Sequence, residues 1–382
     1  MNSQDIYDIA IIGVGGMGSA TMYELARRGV KVCGIEQFGI AHDLGSSHGE
    51  TRMIRKAYFE HPNYIPLLNR TYDLWHNLER ESDQELFVKC GLVVSGTPDS
   101  EVIGGLEACY KEHKLPHDRF SASEAKIRFP QFAFDEDSVV YFDPIAGFLY
   151  VEKCIAAHCR LAVENGARLH TNETVESWTA DWKQVNIKTT MREIIAEKLI
   201  ITSGAWAKPL LASIGIELEI WRKVLVWYTT DGIEKYKLGH FPIFYIEAGD
   251  EGFYGFPALN DEGIKIGEHS GAERYENPEL VKRELLPNDE TTVLRFLKKY
   301  LPDFQPKFKK HTVCIYTMAP DQHFIIDRHP NHENVFFAAG FSGHGFKFAP
   351  VIGEILSDLS LKGSTFHPID FLRLNRFDHS QC

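Results

Sequence analysis

Six residues near the start constrain this chain more than any others. An apolar run over residues 9–12 leads directly into Gly13-Val14-Gly15-Gly16-Met17-Gly18, and a helix-forming stretch follows. The spacing predicts a helix over 17–28 with Met17, Ala20, Thr21 and Leu25 on one face, stopped by Gly29. A second apolar, β-branched strand over 30–35 then ends at Glu36. Strand, glycine turn, helix and acid-tipped strand together make a dinucleotide-binding unit. Gly13 makes the tight turn, Gly15 lets a pyrophosphate approach the backbone, and Gly18 brings helix and strand close. Free N–H groups at the helix start stabilise the phosphates. Glu36 accepts hydrogen bonds from ribose hydroxyls and disfavours a 2′-phosphate. This segment alone leaves NAD and FAD equally open.

At 382 residues the chain is longer than one core usually supports, so two domains are expected. A net charge of −12 argues against a general nucleic-acid partner and against anionic membranes. The apolar run after the polar start is too short to span a bilayer, so the expected compartment is the cytoplasm. Seven cysteines without CxxC spacing are expected to be buried free thiols. His329-Pro330-Asn331-His332 reads as a surface turn without a third ligand, so no metal is expected.

Further along, 39–63 lacks periodicity and reads as a long functional loop, and a helix is expected over 64–78. Short apolar stretches and turns fill 86–150. A helix over 153–166, short strands over 167–170 and 198–202, and the turn at Ser203-Gly204 return to an α/β pattern. Residues 222–267 are strand-like and aromatic, and 335–339 is a last apolar strand followed by Gly340, Gly343 and Gly345 and an apolar helix. The expected fold is therefore α/β plus α+β: a discontinuous Rossmann-like nucleotide domain (1–85, 150–220 and 320–382) with an inserted substrate domain (86–149 and 221–319) on a mainly antiparallel sheet.

In this acidic chain, Arg52 and Arg55 beside His48 and Thr51 look like an anion-facing loop, though a solvated basic loop has the same composition. Five segments occur in order: SSHGETRMIRKAY at 46–58, YGFP at 254–257, KIGEH at 265–269, VCIYT at 313–317 and GFSGHGFKFAP at 340–350. Together they resemble the monomeric sarcosine oxidase and N-methyltryptophan oxidase family of flavin amine oxidases, over almost the whole chain. The resemblance implies an FAD domain of the glutathione-reductase/D-amino-acid-oxidase type, with Gly204, Gly343 and Gly345 among the cofactor contacts. It also implies a flavin bound covalently through Cys314. Arg55 and Lys347 would hold a substrate carboxylate, Tyr254, Tyr316 and His269 would line the substrate pocket, and His48, Arg52 and Thr51 would lie against the flavin. Lys265 would act on the oxygen-reacting side. On a strand its neighbours Ile264 and Ile266 point the opposite way, a pattern that a solvent-facing lysine shares.

The implied reaction takes an N-methyl amino acid, O2 and water to the demethylated amino acid, formaldehyde and H2O2, in a monomeric enzyme. Related members act on pipecolate or fructosyl amino acids. A dehydrogenase with another electron acceptor and a non-catalytic flavoprotein are the competing readings. Two departures bear on the substrate. Phe59 stands where sarcosine oxidases have Gly, and Val226-Trp227-Tyr228 with 257–261 looks closer to the N-methyltryptophan branch.

Overall fold

A computed structural model describes residues 6–377. Its first sheet runs in the order Val175–Ala180, Val185–Thr189, Glu193–Ile201, Ile6–Ile12, Val32–Ile35, Arg168–His170. Val335–Ala339 joins parallel to the end of Glu193–Ile201 and pairs antiparallel with Ile325–Arg328. Ile6–Ile12 lies parallel between Glu193–Ile201 and Val32–Ile35. Its alternate residues feed two cores, Ile9 and Ile11 on one face and Ala10 and Ile12 on the other, which is why the strand is apolar throughout.

The Gly16–Arg27 helix is buried from Gly16 to Ala26, not on the one face that periodicity singles out. It packs between the helices Val151–Glu164 and Ala349–Lys362, so apolar and small residues are needed all round.

The second sheet runs Glu273–Tyr275, Glu219–Thr229, Ile264–Glu268, Glu251–Phe256, Ile243–Ala248, Leu92–Gly96, Val139–Asp143, Asp118–Ser121, with Lys307–Met318 along Glu219–Thr229. It is antiparallel except where Ile243–Ala248 pairs with Leu92–Gly96. Its core is aromatic, with Phe132 stacked on Phe241 and Phe296 on Phe253. The α/β sheet and the mainly antiparallel sheet are those the sequence leads one to expect.

Several segments differ from their sequence reading. The 39–63 loop contains a strand, Thr51–Ile54, which pairs with Gly147–Tyr150. Residues 86–150 hold two helices, Glu101–His113 and Ala122–Arg128, capped by Ser100 and Ser121. Gly104-Gly105 inside the first lowers its intrinsic helix propensity and hides it. The strand expected over 198–202 is the end of Glu193–Ile201, whose edge charges mask the rest. Residues 329–332 form the expected surface turn, with Pro330 and Asn331 exposed, but His329 itself points inward. It is buried, its Nε2 lies 3.0 Å from Ser213 Oγ, and its Nδ1 accepts from the Asn331 N–H.

Among the described residues, Cys33, Cys109, Cys154, Cys159 and Cys314 are buried free thiols and Cys90 is half-buried. Cys382 lies outside them. No group of His, Cys, Asp or Glu among these residues is arranged to hold a metal ion, and no helix is long and apolar enough to cross a membrane.

Candidate active site

The glycine turn has the geometry its spacing requires. Gly13 has φ +87°, and a Cβ there would stand 2.6 Å from Ser203 Cα. Gly18 seats against the Gly13 carbonyl with no room for a side chain. Around Gly15, by contrast, a Cβ would meet nothing within 4 Å, so the helix N-terminus faces open space. Glu36 is buried beside it. Its Oε2 accepts from the Val14 N–H at 2.8 Å and its Oε1 from the Phe38 N–H at 3.1 Å, which leaves carboxylate lone pairs for ribose hydroxyls.

That open space is one end of a cavity of about 890 Å³. Gly13, Gly15, Glu36 and Gly204 line this end, and Arg52, Arg55, Tyr254, His269, Tyr316, Gly343, Gly345 and Lys347 line the other. Two hydroxyls on its wall, Ser203 Oγ and Thr317 Oγ1, are buried without a partner, as is Thr51 Oγ1 behind it. A polar group buried without a bond costs free energy, and a ligand in the cavity that bonds the two wall hydroxyls relieves that cost. A long cavity that starts at a phosphate-binding helix end and carries unpartnered donors fits FAD.

At the far end, the 45–60 loop is held from two sides. Glu152 Oε1 accepts from the N–H groups of Gly49 (2.7 Å) and Glu50 (3.1 Å). Lys265 Nζ donates to the carbonyls of Gly49 (2.8 Å) and Thr51 (2.7 Å). Lys265 is 2% exposed, which settles the ambiguity of its strand pattern in favour of burial. Burial and the Arg52 charge pull its ammonium well below the usual lysine range. Arg52 Nη2 donates to Ser46 O at 2.8 Å and to Cys314 Sγ at 3.2 Å. His48 is buried against Gly45 O at 3.1 Å, and burial lowers it to about 3, so its imidazole is neutral.

The carboxylate-binding pair implied by the resemblance is brought together. Arg55 and Lys347 are 5% and 6% exposed, unusual burial for cations, and both face the cavity. Arg55 stacks over the Tyr58 and Phe59 rings at 4.5 and 4.1 Å and donates to Glu60. Lys347 Nζ donates to His344 O at 2.7 Å, and burial together with Arg55 lowers it to about 7. His269 Nδ1 lies 3.3 Å from the Tyr316 hydroxyl, and burial lowers the imidazole to about 3, so it too is neutral.

Cys314, Lys265, His48, Thr51 and Gly18 do not line the cavity: four are next in sequence to a lining residue, and Lys265 Nζ lies 4.0 Å from the ring centre of Phe256, which lines it. Three residues at this end have no place in the sequence reading. Glu60 pairs with Arg55, Tyr245 packs against both Phe59 and His269, and Lys223 is a third deeply buried lysine. Glu60 is detectable only as an acid five residues after an arginine. Lys223, inside an apolar strand, carries the same ambiguous signal as Lys265.

The chain matches the family model for FAD-dependent oxidoreductases over residues 8–359. It is 37% identical to a monomeric sarcosine oxidase of Bacillus sp. (strain B-0618), covering 97% of this chain and 96% of that one. It is 39% identical to the monomeric sarcosine oxidase of Streptomyces avermitilis (95% and 96% covered). It is 36% identical to the N-methyl-L-tryptophan oxidase of Salmonella dublin (97% and 99% covered). The fold is shared with NikD, an amino acid oxidase of nikkomycin biosynthesis (TM-score 0.86, 22% identity, 97% of each chain). It is also shared with L-proline dehydrogenase of P. horikoshii (TM-score 0.85, 23% identity, 98% of each chain). With a cavity fitted to FAD and relatives of this closeness over its whole length, the chain belongs to the FAD-dependent oxidoreductases, in the flavin amine oxidase group of the monomeric sarcosine and N-methyltryptophan oxidases.

Proposed function

We propose that this enzyme oxidises the C–N bond of an N-methyl amino acid with O2 and water, releasing the demethylated amino acid, formaldehyde and H2O2. The observation that carries this reading is the pair of buried cations, Arg55 and Lys347, on the wall of the FAD cavity beside the neutral His269–Tyr316 pair. When bound, FAD supplies the two-electron acceptor and passes the pair on to O2. Arg55 and Lys347 bind the substrate carboxylate, the guanidinium through its fork and the ammonium as a point charge. Anchored there, the amine stands within reach of His269, whose neutral imidazole accepts a hydrogen bond from the amine N–H and orients it, while the proton of the ammonium form is lost to solvent before reaction. Arg52 on the cavity wall and Lys265 behind the Phe256 ring are the cationic groups on the side where reduction of O2 builds negative charge.

We further infer that FAD is attached through Cys314. Support comes from the Arg52 guanidinium donating to its sulfur, and from Ile315 and Tyr316, its neighbours in sequence, lying on the cavity wall. The cofactor module is taken as 1–85, 150–220 and 320–382 and the substrate module as 86–149 and 221–319, since the strands of the first and second sheets fall in those spans apart from the first two residues of Glu219–Thr229. The reading takes the protein as a cytoplasmic monomer, which light scattering tests for the oligomeric state.

Peroxide release measured over N-methyl amino acids of graded side-chain size tests the function. Formaldehyde and peroxide in equal amounts are expected. Absence of anaerobic flavin bleaching by sarcosine, N-methyltryptophan and pipecolate alike would overturn it.

A further inference from the structure

Lys223 lies in the middle of the Glu219–Thr229 strand and is 3% exposed. Its Nζ donates to the carbonyls of His269 at 2.8 Å and Ser270 at 2.6 Å, and also to the carbonyl of Gly271. Three acceptors use all three ammonium protons, whereas a neutral amine has only two N–H bonds to give. The geometry thus selects the charged form at a site where an unpaired cation would be costly. Burial lowers Lys223 only to about 8, with Glu268 and Cys314 acting in the opposite direction.

The three carbonyls belong to the turn that delivers His269 to the cavity. The His269 N–H donates to Gly252 O at 2.7 Å, and Ser270 Oγ accepts from the Gly252 N–H at 2.8 Å, so the turn is tied to the neighbouring strand as well. On its other side the Lys223 ammonium lies 5.4 Å from the Tyr316 ring centre, and across the ribbon Lys223 pairs with Cys314. One buried cation therefore touches the His269 turn and the Tyr316 ring, while the His269 ring and the Tyr316 hydroxyl face each other at 3.3 Å.

We propose that Lys223 is a positioning residue of the amine-oxidation site, which gathers the His269–Gly271 carbonyls to aim His269 at Tyr316 and fixes a positive charge beside the imidazole. This deepens, and in its catalytic part rests on, the role given to His269 above. A cation close to an imidazole disfavours its protonation. Lys223 acts on His269 in that direction, second only to burial, with His344 and Lys347 adding to it and Glu60 opposing. The other groups around the ring, the hydroxyls of Tyr245, Tyr254 and Tyr316, are uncharged. Lys223 does not line the cavity, so it works through His269 and touches no substrate.

The test compares the wild-type holoenzyme with Lys223→Gln and Lys223→Arg. Gln keeps two N–H donors for the carbonyls and removes the charge, while Arg restores the charge. The primary readout is NMR of histidine-labelled protein, with the His269 signal assigned by His269→Asn. In the wild type His269 is expected to stay neutral down to about pH 5 or below. In Lys223→Gln its midpoint should rise by about one pH unit, and Lys223→Arg should return it toward the wild type. With substrate, kcat/KM of Lys223→Gln should fall on the order of tenfold, while the affinity for an amine-free carboxylate changes by less than about twofold. An unchanged His269 midpoint in a folded Lys223→Gln protein would overturn the proposal. If Lys223→Gln does not fold, the unbranched, uncharged Lys223→Met takes its place: a His269 midpoint raised by about one pH unit supports the proposal, and an unchanged midpoint refutes it. An inactive wild type would remove the proposed reaction, yet the NMR midpoints would still decide the role of Lys223.

Discussion

Arg55 Nη2 lies 2.7 and 2.8 Å from the two carboxylate oxygens of Glu60, so the arginine assigned to a substrate carboxylate already holds one from its own loop. Glu60 is 17% exposed at its side chain and lines the cavity, placing it where an incoming carboxylate competes with it. Glu60→Gln removes the competing charge. The Kd of an amine-free carboxylate such as propionate, read from the flavin spectrum, is expected to fall about three- to tenfold. A weaker Kd would mean that Glu60 holds Arg55 in its binding position.

Lys347 sets a pH dependence. Its ammonium is lowered to about 7 by burial and by Arg55, so the charged form is lost as pH rises through that value. Binding of the same carboxylate should weaken above pH 7 in the wild type, with a proton taken up on binding. In Lys347→Met the affinity should be lower and flat across this range, as a Kd series from pH 6 to 9 would show.

Lys265 serves the oxygen side. Lys265→Met should slow reoxidation of the reduced enzyme on the order of a hundredfold while anaerobic reduction by substrate changes little. Stopped-flow measurement of the two half-reactions separates them. Because burial and Arg52 lower its ammonium, reoxidation in the wild type should decline at a lower pH than an ordinary lysine would allow.

Cys314 carries the cofactor bond in the proposed reading. Acid precipitation should leave the yellow colour on wild-type polypeptide and release it from Cys314→Ser. Free flavin from the wild type removes the covalent link and leaves the amine oxidase assignment intact.

Phe59 narrows the substrate end. Its ring covers the Arg55 guanidinium at 4.1 Å and packs on Tyr245, while Gly105 lies beneath it with no room for a side chain. Phe59→Gly should raise kcat/KM for bulky N-methyl amino acids relative to sarcosine, by about tenfold if one ring's volume is freed. An unchanged ratio would place selectivity elsewhere.

How much of this was legible depended on the range of the interactions. The Gly13–Gly18 turn, the strand ending in Glu36 and the apolar strand before Gly340 are local patterns, and each lies where its spacing puts it. Glu101–His113 was missed because its local signal is weak and tertiary packing overrides it. For the site, local pattern could only shortlist residues: Lys265 and a surface lysine alternate alike, and Lys223 lies in the same kind of strand.

The sequence by itself determined a dinucleotide-binding unit, because a tight turn, a helix N-terminus and an acid two dozen residues on are all consequences of chain-local spacing. It also listed the chemistry available: two arginines, two histidines, two lysines, a cysteine and a late glycine loop. Only the tertiary structure decided which of these meet. Strand pairing sets Cys314 opposite Lys223, loop packing sets Arg55 on Glu60, and packing buries three lysines at or near one cavity, where desolvation lowers each of them. Contacts across hundreds of residues arise from how sheets and loops stack, and no local period encodes them.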